Sequence, residues 1–219
     1  MKPKFWLERW QKNQIGFHQA EHNKLLMEFW PALGLEPGSQ VFVPLCGKTL
    51  DMRWLEAAGH KVVGVELAQI AIENYFADGQ EQAQIDIVDR FTSFRGQGTV
   101  IYQGDFFDLT APILEQVGGV FDRGALVALP PDMRFRYVDH LLRIVPDDTS
   151  ILLLTFEYDQ KLVAGPPHCV MPEEVDALFG TRCDITLLDS FVTSLLPPHF
   201  AQQGIRQAVE GVYLITKRK

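Results

Sequence analysis

The stretch VFVPLCGKTLDMRWLEAAGHKVVGVELA, Val41–Ala68, has the pattern that opens a nucleotide-binding βαβ unit. An apolar run meets a turn of small residues, a helical pattern follows, and a second apolar run ends at Glu66. The pattern predicts a strand, a helix and a second strand over Gln40–Leu45, Leu50–Ala58 and Lys61–Glu66. An open α/β sheet of this kind binds its ligand where the strands end, so the turn after the first strand is the first candidate site.

The turn PLCGKT, Pro44–Thr49, limits which ligand can bind there. A phosphate-binding P-loop needs a glycine five residues before the glycine of its GK pair, and that position is Phe42. A dinucleotide fold needs several glycines so that the backbone can approach a pyrophosphate, whereas this turn contains only Gly47. The turn is therefore poorly suited to a diphosphate and adequate for a ligand without one.

Glu66 ends the second predicted strand, about 20 residues after the turn, where a carboxylate can accept hydrogen bonds from both hydroxyls of a ribose. Together with the glycine-poor turn, it predicts an adenosine ligand without phosphates, and S-adenosyl-L-methionine fits that description. The alternative is that Glu66 is only a negative charge close to the start of the next helix.

Two further strand ends place polar residues at the same edge of the sheet. The third predicted strand, Thr99–Gln103, is followed by Asp105 and Phe106. In methyltransferases of this fold an acidic residue here meets the adenine amino group and an apolar neighbour covers the ring, although Asp105 is explained equally well as a turn residue. Asp122 and Arg123 fall where a bound methyl donor presents its methionine end, and the alternative for Arg123 is a surface ion pair.

The rest of the chain continues the alternation of apolar runs and helical patterns. The other predicted helices are His18–Leu33, Ala68–Phe76 and Pro131–Val145, and the other predicted strands are Gly119–Asp122, Thr149–Phe156, Cys183–Val192 and Ala208–Thr216. No helical pattern separates the last two strands, which are therefore predicted to pair antiparallel. The predicted architecture is a mostly parallel α/β sheet closed by antiparallel C-terminal strands, with the N-terminal helix as a cover over the crevice.

Composition sets the class of protein. The 219 residues are 47% hydrophobic, which predicts one domain over residues 1–219. The net charge of −8 argues against a nucleic-acid groove. Three dispersed cysteines without CxxC spacing predict reduced thiols, and no apolar run approaches the ~20 residues that cross a bilayer. We expect a cytoplasmic monomer that binds a small molecule and neither nucleic acid nor membrane.

Two other groups raise chemical alternatives. His18 and His22 lie four residues apart, but HQAEH is not the HExxH zinc motif and no third ligand is evident. A helix cap or surface pair is favoured, no metal site is predicted, and His18 remains a candidate for passing a proton through water. Cys46 lies in the turn, but the sequence supplies no base to form a thiolate, so packing is favoured.

In these motifs the chain resembles the thiopurine S-methyltransferase family, including its bacterial members, over nearly its full length. The matching stretches are W-x3-W through GFHQ at Trp6–Gln19, VFVPLCGKTLDMRWL from Val41, GHKVVGVEL from Gly59, FDRGALVAL from Phe121, GPP at Gly165–Pro167 and VYLIT near the end. PLCGK together with DRGALVA is a specific pair. The resemblance implies a class I S-adenosylmethionine-dependent methyltransferase fold, which is Rossmann-like, with residues 1–35 as a helical lid.

The resemblance also implies roles for individual residues. Cofactor contacts are implied for Trp10, Leu45, Glu66 and Arg123. Asp105 and Phe106 match the adenine-side positions less closely. Phe17 matches an aromatic residue of the segment that closes over the site, and Arg123 also matches an arginine that faces substrate. A second substrate-facing arginine of the animal enzymes aligns near His199, with Arg206 a few residues on.

The implied reaction transfers a methyl group from S-adenosyl-L-methionine to thiopurines and other aromatic or heterocyclic thiols, leaving S-adenosyl-L-homocysteine. Selenium and tellurium compounds are further acceptors associated with the bacterial branch. Arg123 would stabilise an anionic acceptor, and no general base is identified. Two alternatives stay open: a noncatalytic nucleoside- or cofactor-binding module, and an NAD-dependent dehydrogenase, which the missing glycines disfavour.

Overall fold

Nine strands form one sheet in the computed structural model, which describes residues 3–194 and 196–219. The strands are β1 (Gln40–Val43), β2 (Lys61–Glu66), β3 (Gln84–Val88), β4 (Phe91–Arg95), β5 (Thr99–Gln103), β6 (Val117–Arg123), β7 (Ser150–Glu157), β8 (Cys183–Thr193) and β9 (Ala208–Lys217). Their order is β3-β4-β5-β2-β1-β6-β7-β9-β8. The five central strands, β5 to β7 in this order, are parallel, and antiparallel strands flank them at both edges.

Helices cover both faces of this sheet. They are α1 (Pro3–Gln11), α2 (Lys24–Phe29), α3 (Asp51–Ala57), α4 (Gln69–Asp78), α5 (Pro131–Ile144), α6 (Pro172–Phe179) and α7 (Pro198–Gln202). On one face, apolar side chains of α5 and α6 share a buried cluster with side chains of β1, β2, β6 and β7. On the other face, α2, α3 and α4 do the same. Burial on both sides explains why the central strands read as continuous apolar runs. No helix among the described residues is long and apolar enough to span a bilayer.

The central strands and the antiparallel pairing of β8 with β9 confirm the predicted sheet. The prediction ran the first strand to Leu45, two residues beyond the end of β1 at Val43. The hairpin of β3 and β4 was not predicted, and neither was α6 or the short α7 between the last two strands. The sheet therefore carries antiparallel strands at both edges, where only the C-terminal edge was expected to have them.

The predicted N-terminal helix His18–Leu33 is wrong at its start. The helix α2 begins only at Lys24 because Asn23 caps it, with its side-chain oxygen accepting hydrogen bonds from two amides of the first turn. The backbone N–H of Asn23 in turn donates a hydrogen bond to Asp51 Oδ1 at 2.7 Å, and the two residues are 28 positions apart in the sequence. After Phe29 the chain tightens into a 3-10 turn at Trp30–Leu33, which contains a proline.

The cover over the carboxyl edge of the sheet comes from α1 rather than from the predicted helix. Trp10 on α1 packs against Ala68 and Ala71, at the start of α4. The α2 helix and the 3-10 turn after it instead bury Leu26 and Trp30 against the sheet. The described part of this segment, residues 3–35, thus divides into a covering part and a part that belongs to the core.

Candidate functional site

The turn after β1 is held in an unusual backbone conformation. Leu45 and Gly47 both have positive φ, 47° and 54°. A leucine in the left-handed region is strained, and such residues cluster at ligand sites. The Cys46 amide donates to the Val65 carbonyl at 3.0 Å, which fastens the turn to β2. Leu45 is half-buried against the core, so the turn is fixed from both sides.

Glu66 joins the end of β2 to this turn. Its carboxylate is only 6% exposed and accepts two backbone hydrogen bonds, from the Gly47 amide at 2.8 Å and the Ala68 amide at 2.7 Å. Burial raises the pKa of Glu66, and hydrogen bonds from the backbone amides of Ala68, Gly47 and Leu67 oppose that rise. A carboxylate accepts about four hydrogen bonds, so acceptor capacity remains for a ribose hydroxyl.

An aromatic cover lies directly on the turn. Trp10 is 5% exposed, and a Cβ atom added to Gly47 would lie 3.1 Å from its Cζ2 atom. Phe17 stands edge-on to Trp10 and Trp6, with ring centroids 5.6 and 5.4 Å apart, and stays 41% exposed. A side chain at position 47 would therefore have to displace the Trp10 ring by a few tenths of an ångström.

Arg123 ends β6 and is half-buried. Burial lowers the pKa of its guanidinium, while the nearby carboxylates of Asp51 and Glu210 act in the opposite direction. Among residues 3–194 and 196–219, no carboxylate lies within 4.0 Å of this guanidinium and no hydrogen bond from it is formed. The surface ion pair considered as the alternative is thus not observed, and a cation at the carboxyl edge is left available to an anionic ligand.

Asp122 lies on the opposite face from Arg123, contrary to the expectation that both residues face the methyl donor. Its buried carboxylate accepts hydrogen bonds from the Leu126 amide at 3.0 Å and from the Tyr137 hydroxyl at 2.7 Å. Burial raises the pKa of Asp122. Neighbouring residues of a strand point to opposite faces, so Arg123 can face a ligand only if Asp122 faces α5.

Asp105 and Phe106 follow β5 as predicted, and their contacts are local. Asp105 Oδ1 accepts a hydrogen bond from the Phe107 amide at 2.9 Å, as a capping residue does. Phe106 is 2% exposed and stacks on Phe42 with centroids 6.4 Å apart, next to Tyr137. These contacts explain both residues without a ligand, and their adenine-side roles stay predictions.

His18 and His22 do not act as a pair. His22 Nδ1 lies 3.0 Å from the Leu50 carbonyl oxygen. His18 is half-buried, and burial, followed by the charge of Lys48, lowers the pKa of its imidazole. Across the described residues, no three His, Cys, Asp or Glu side chains form a group that could bind a metal ion. His18 lies near Arg123 as well, so it belongs to the surroundings of the site.

Cys46 packs, as its position in the turn suggested. Burial and then the charge of Glu66 raise the pKa of its thiol well above the usual range, so the thiolate is disfavoured. A Cβ atom on Gly64 would lie 2.8 Å from Cys46 Sγ, which shows how closely the sulfur fills the space over β2. His199 and Arg206, the two residues aligned near the second arginine, are both exposed.

Sequence reasoning missed Asp51 and Glu210. Asp51 is fully buried and accepts hydrogen bonds from the Asn23 amide at 2.7 Å and the Thr49 hydroxyl at 2.9 Å. It therefore ties the N-terminal segment to the turn and places a carboxylate near Arg123. The motif KTLD was a weak signal for a functional carboxylate at Asp51. Its hydrogen bond could not be predicted, because Asn23 lies 28 residues away in the sequence.

A cavity of about 220 Å³ lies away from these residues, at the opposite edge of the sheet. Gln40, Arg95 and Glu115 contribute to its lining, and none of the predicted site residues does. Ligands of open α/β sheets bind at the carboxyl ends of the strands, so we assign the site to the turn, Glu66 and Arg123.

Comparisons with known proteins agree with this geometry. A sequence model of the family "Thiopurine S-methyltransferase (TPMT)" matches residues 1–218. A thiopurine S-methyltransferase of Nitrosospira multiformis is 45% identical over 218 residues, covering 100% of this chain and 99% of the relative. A probable thiopurine S-methyltransferase of Yarrowia lipolytica is 44% identical over 215 residues, covering 97% and 99%.

Solved structures show the same fold at low identity. One is the 1,6-didemethyltoxoflavin-N1-methyltransferase of Burkholderia thailandensis, solved with bound 1,6-didemethyltoxoflavin and S-adenosylhomocysteine. It is 15% identical with a TM-score of 0.66, and the superposition covers 98% of this chain and 87% of that enzyme. A SAM-dependent methyltransferase of Anabaena variabilis is 12% identical with a TM-score of 0.67, covering 99% and 95%. The expected class I methyltransferase fold is confirmed, and the chain belongs to the thiopurine S-methyltransferase family, whose methyl donor is S-adenosyl-L-methionine.

Proposed function

We propose that this protein transfers the methyl group of S-adenosyl-L-methionine to the sulfur of thiopurines and other aromatic or heterocyclic thiols. The observation that carries the proposal is Arg123, a half-buried guanidinium without a protein partner among the described residues, at the same edge as the turn that Trp10 covers. Aromatic thiols ionise readily, and an aromatic thiolate supplies both the anion for Arg123 and a ring for the cover.

The cofactor residues are proposed on their fit to a phosphate-free adenosine ligand. The Glu66 carboxylate can accept a ribose hydroxyl in addition to its backbone hydrogen bonds, and the turn at Leu45 and Gly47 is too poor in glycine for a diphosphate. Trp10 closes the turn from above. Asp105 and Phe106 remain candidates for the adenine end. When bound, S-adenosyl-L-methionine supplies a methyl group on a positively charged sulfonium sulfur.

The protein's own contribution is positioning and charge. Arg123 would hold the acceptor thiolate by charge-assisted hydrogen bonds, which are stronger than neutral ones. Trp6, Trp10 and Phe17 would exclude water, and their ring faces would attract a sulfonium charge by about 0.5–2 kcal/mol each at most. Alignment of two reacting groups alone supplies several kcal/mol, so a dedicated base is not required.

Selenium and tellurium compounds are proposed as further acceptors, because a site built around one cation and aromatic rings suits soft nucleophiles in general. We also propose that residues 1–219 act as one methyltransferase domain and as a monomer. In support of one domain, the described strands join one sheet.

The test is methyl transfer from a labelled donor to 6-mercaptopurine, thiophenol, selenite and tellurite. We expect Arg123→Ala to slow transfer to the aromatic thiols about tenfold or more, as loss of hydrogen bonds to a charged group would, while donor affinity falls less. Arg90→Ala, an exposed arginine paired with Asp108, is the control. Equal rates for Arg123→Ala and parent at saturating donor would exclude Arg123 from the acceptor site. Donor binding without transfer to any acceptor would favour the noncatalytic module.

A further inference from the structure

Glu210 shares a face of the sheet with Arg123. Arg123 lies two residues after Phe121 on β6, and Glu210 lies two residues before Val212 on β9. Phe121 and Val212 belong to the same buried cluster, and side chains of a strand alternate between faces. Arg123 and Glu210 therefore project from that one face.

The strand register also brings the two residues close. In the register of the sheet, Arg123 is paired with Leu154 on β7, and Leu154 is paired with Val212 on β9. Glu210 thus stands two residues further toward the carboxyl edge, with one strand between it and Arg123. The electrostatic influence of each group on the other agrees with this placement.

Glu210 nevertheless does not neutralise Arg123 by direct pairing. Among residues 3–194 and 196–219, no ion pair within 4.0 Å joins the two side chains. Glu210 is half-buried and accepts a hydrogen bond from the Thr193 hydroxyl, which leaves further acceptor positions on its carboxylate. The same face of the sheet therefore carries a donor on β6 and an acceptor on β9, with β7 between them.

A carboxylate at this position would hinder a plain thiolate, since like charges repel and burial of an unpaired carboxylate costs free energy. It would help an acceptor that carries an N–H group next to its carbon–sulfur bond, because the sulfur can meet Arg123 while the N–H meets Glu210. We propose that Glu210 is a specificity-determining residue that accepts a hydrogen bond from the ring N–H of a heteroaromatic thiol. This proposal rests on the proposed function, since it concerns the same acceptor.

The test uses isomeric acceptors. Pyridine-2-thione has its N–H beside the C–S carbon, pyridine-4-thione has it across the ring, and thiophenol has none. Binding is measured by calorimetry with S-adenosylhomocysteine present, and kcat/KM is measured with the methyl donor. We expect the parent to prefer the 2-isomer and Glu210→Gln to reduce that preference about tenfold or more, while thiophenol affinity stays unchanged or rises because the repelling charge is gone.

Two variants sharpen the result. Glu210→Asp keeps a negative charge near Arg123 but shortens the side chain, and we expect it to lose the preference as well. Glu157→Gln is the control, because its carboxylate lies near Glu173 and Tyr213 instead, and it should keep the preference. Unchanged melting temperature and S-adenosylhomocysteine affinity show that each variant is folded.

The outcomes separate the two proposals. If Glu210→Gln weakens all three acceptors equally, Glu210 acts only through Arg123 and the assignment is wrong. An unchanged preference for the 2-isomer overturns it as well. If the parent binds S-adenosylhomocysteine but neither binds nor methylates any of the three acceptors, the proposed function itself fails.

Discussion

At the scale of single residues, Glu66 supports the local structure, and the ribose contact is its proposed second task. Its carboxylate holds the Gly47 and Ala68 amides, so it supports the turn and the start of α4 before any ligand binds. The same hydrogen bonds fix the orientation of the carboxylate, which would favour the proposed contact. Its position at the end of the second strand was predictable from spacing, whereas its bond to Gly47 depends on the backbone of the turn.

Replacing Glu66 by glutamine tests this double role. Glutamine keeps one acceptor oxygen but turns a donor group toward a backbone N–H, so one amide loses its partner. We expect S-adenosylhomocysteine affinity to fall by about 1–3 kcal/mol, together with some loss of stability. Isothermal titration calorimetry measures the affinity. Glu73→Gln, at an exposed position on α4, is the matched control. A folded Glu66→Gln protein with parental affinity would contradict the ribose contact.

At the scale of elements, the sequence predicted what depends on local pattern. The strands β1 and β2 and the helix between them follow from apolar periodicity, and both flanking faces are buried as the continuous runs require. The β3–β4 hairpin was missed although Ile85 and Ile87 alternate with polar residues as in a strand. Both isoleucines are exposed on the edge strand β3, so no long apolar run marks it. Its two-residue turn contains Asp89 with positive φ but no glycine, so the usual hairpin signal is absent.

The start of α2 could not be read from periodicity, because a contact distant in sequence sets it. Asn23 caps α2 while its own amide is held by Asp51, so the chain before it turns away from the helical path. The cover likewise depends on tertiary contact. Trp10 was identified from the family pattern, but its position against Gly47 follows from the packing of α1 on α4.

The contact between α1 and the turn predicts the effect of Gly47→Ala. At positive φ an alanine costs about 1–2 kcal/mol, and here its Cβ would also press on Trp10 at 3.1 Å. Gly34→Ala is the control, because Gly34 has φ +63° and its Cβ would meet nothing within 4 Å. We expect backbone strain to lower the free energy of unfolding of both variants in urea, somewhat more for Gly47→Ala because of the Trp10 contact, and only Gly47→Ala to lose S-adenosylhomocysteine affinity as well. Equal affinities for the two variants would show that Trp10 does not cover the ligand.

At the scale of the whole molecule, several histidines are kept neutral by the packing around the sheet. Burial is the first cause of a lowered pKa for His18, His60, His140 and His168. They lie on different elements, so acid is expected to weaken the fold at several places together. Buried carboxylates such as Glu66 and Asp122 have raised pKa values, so the folded state binds their protons more readily than the unfolded state. Their protonation therefore favours the folded state as the pH falls, which opposes the effect of the histidines.

His60 isolates one of these contributions. Its Nε2 accepts a hydrogen bond from Trp30 Nε1 at 3.0 Å, which requires an imidazole that is neutral. Below its ordinary pKa of 6.5 the unfolded chain takes up a proton that the folded chain resists, so this contribution to stability is present at neutral pH and lost as pH falls.

In His60→Gln the amide oxygen can accept the same hydrogen bond without titrating. We therefore expect His60→Gln to lose less free energy of unfolding than the parent between about pH 7.5 and 5.5, by at most about 1.4 kcal/mol, because pH 5.5 lies only one pH unit below the ordinary pKa of 6.5. Urea unfolding at the two pH values measures the difference, with exposed His199→Gln as control. An identical acid loss in His60→Gln and the parent would mean that the Trp30 contact tolerates protonation, and the acid sensitivity of the fold would then have to arise from the other buried histidines.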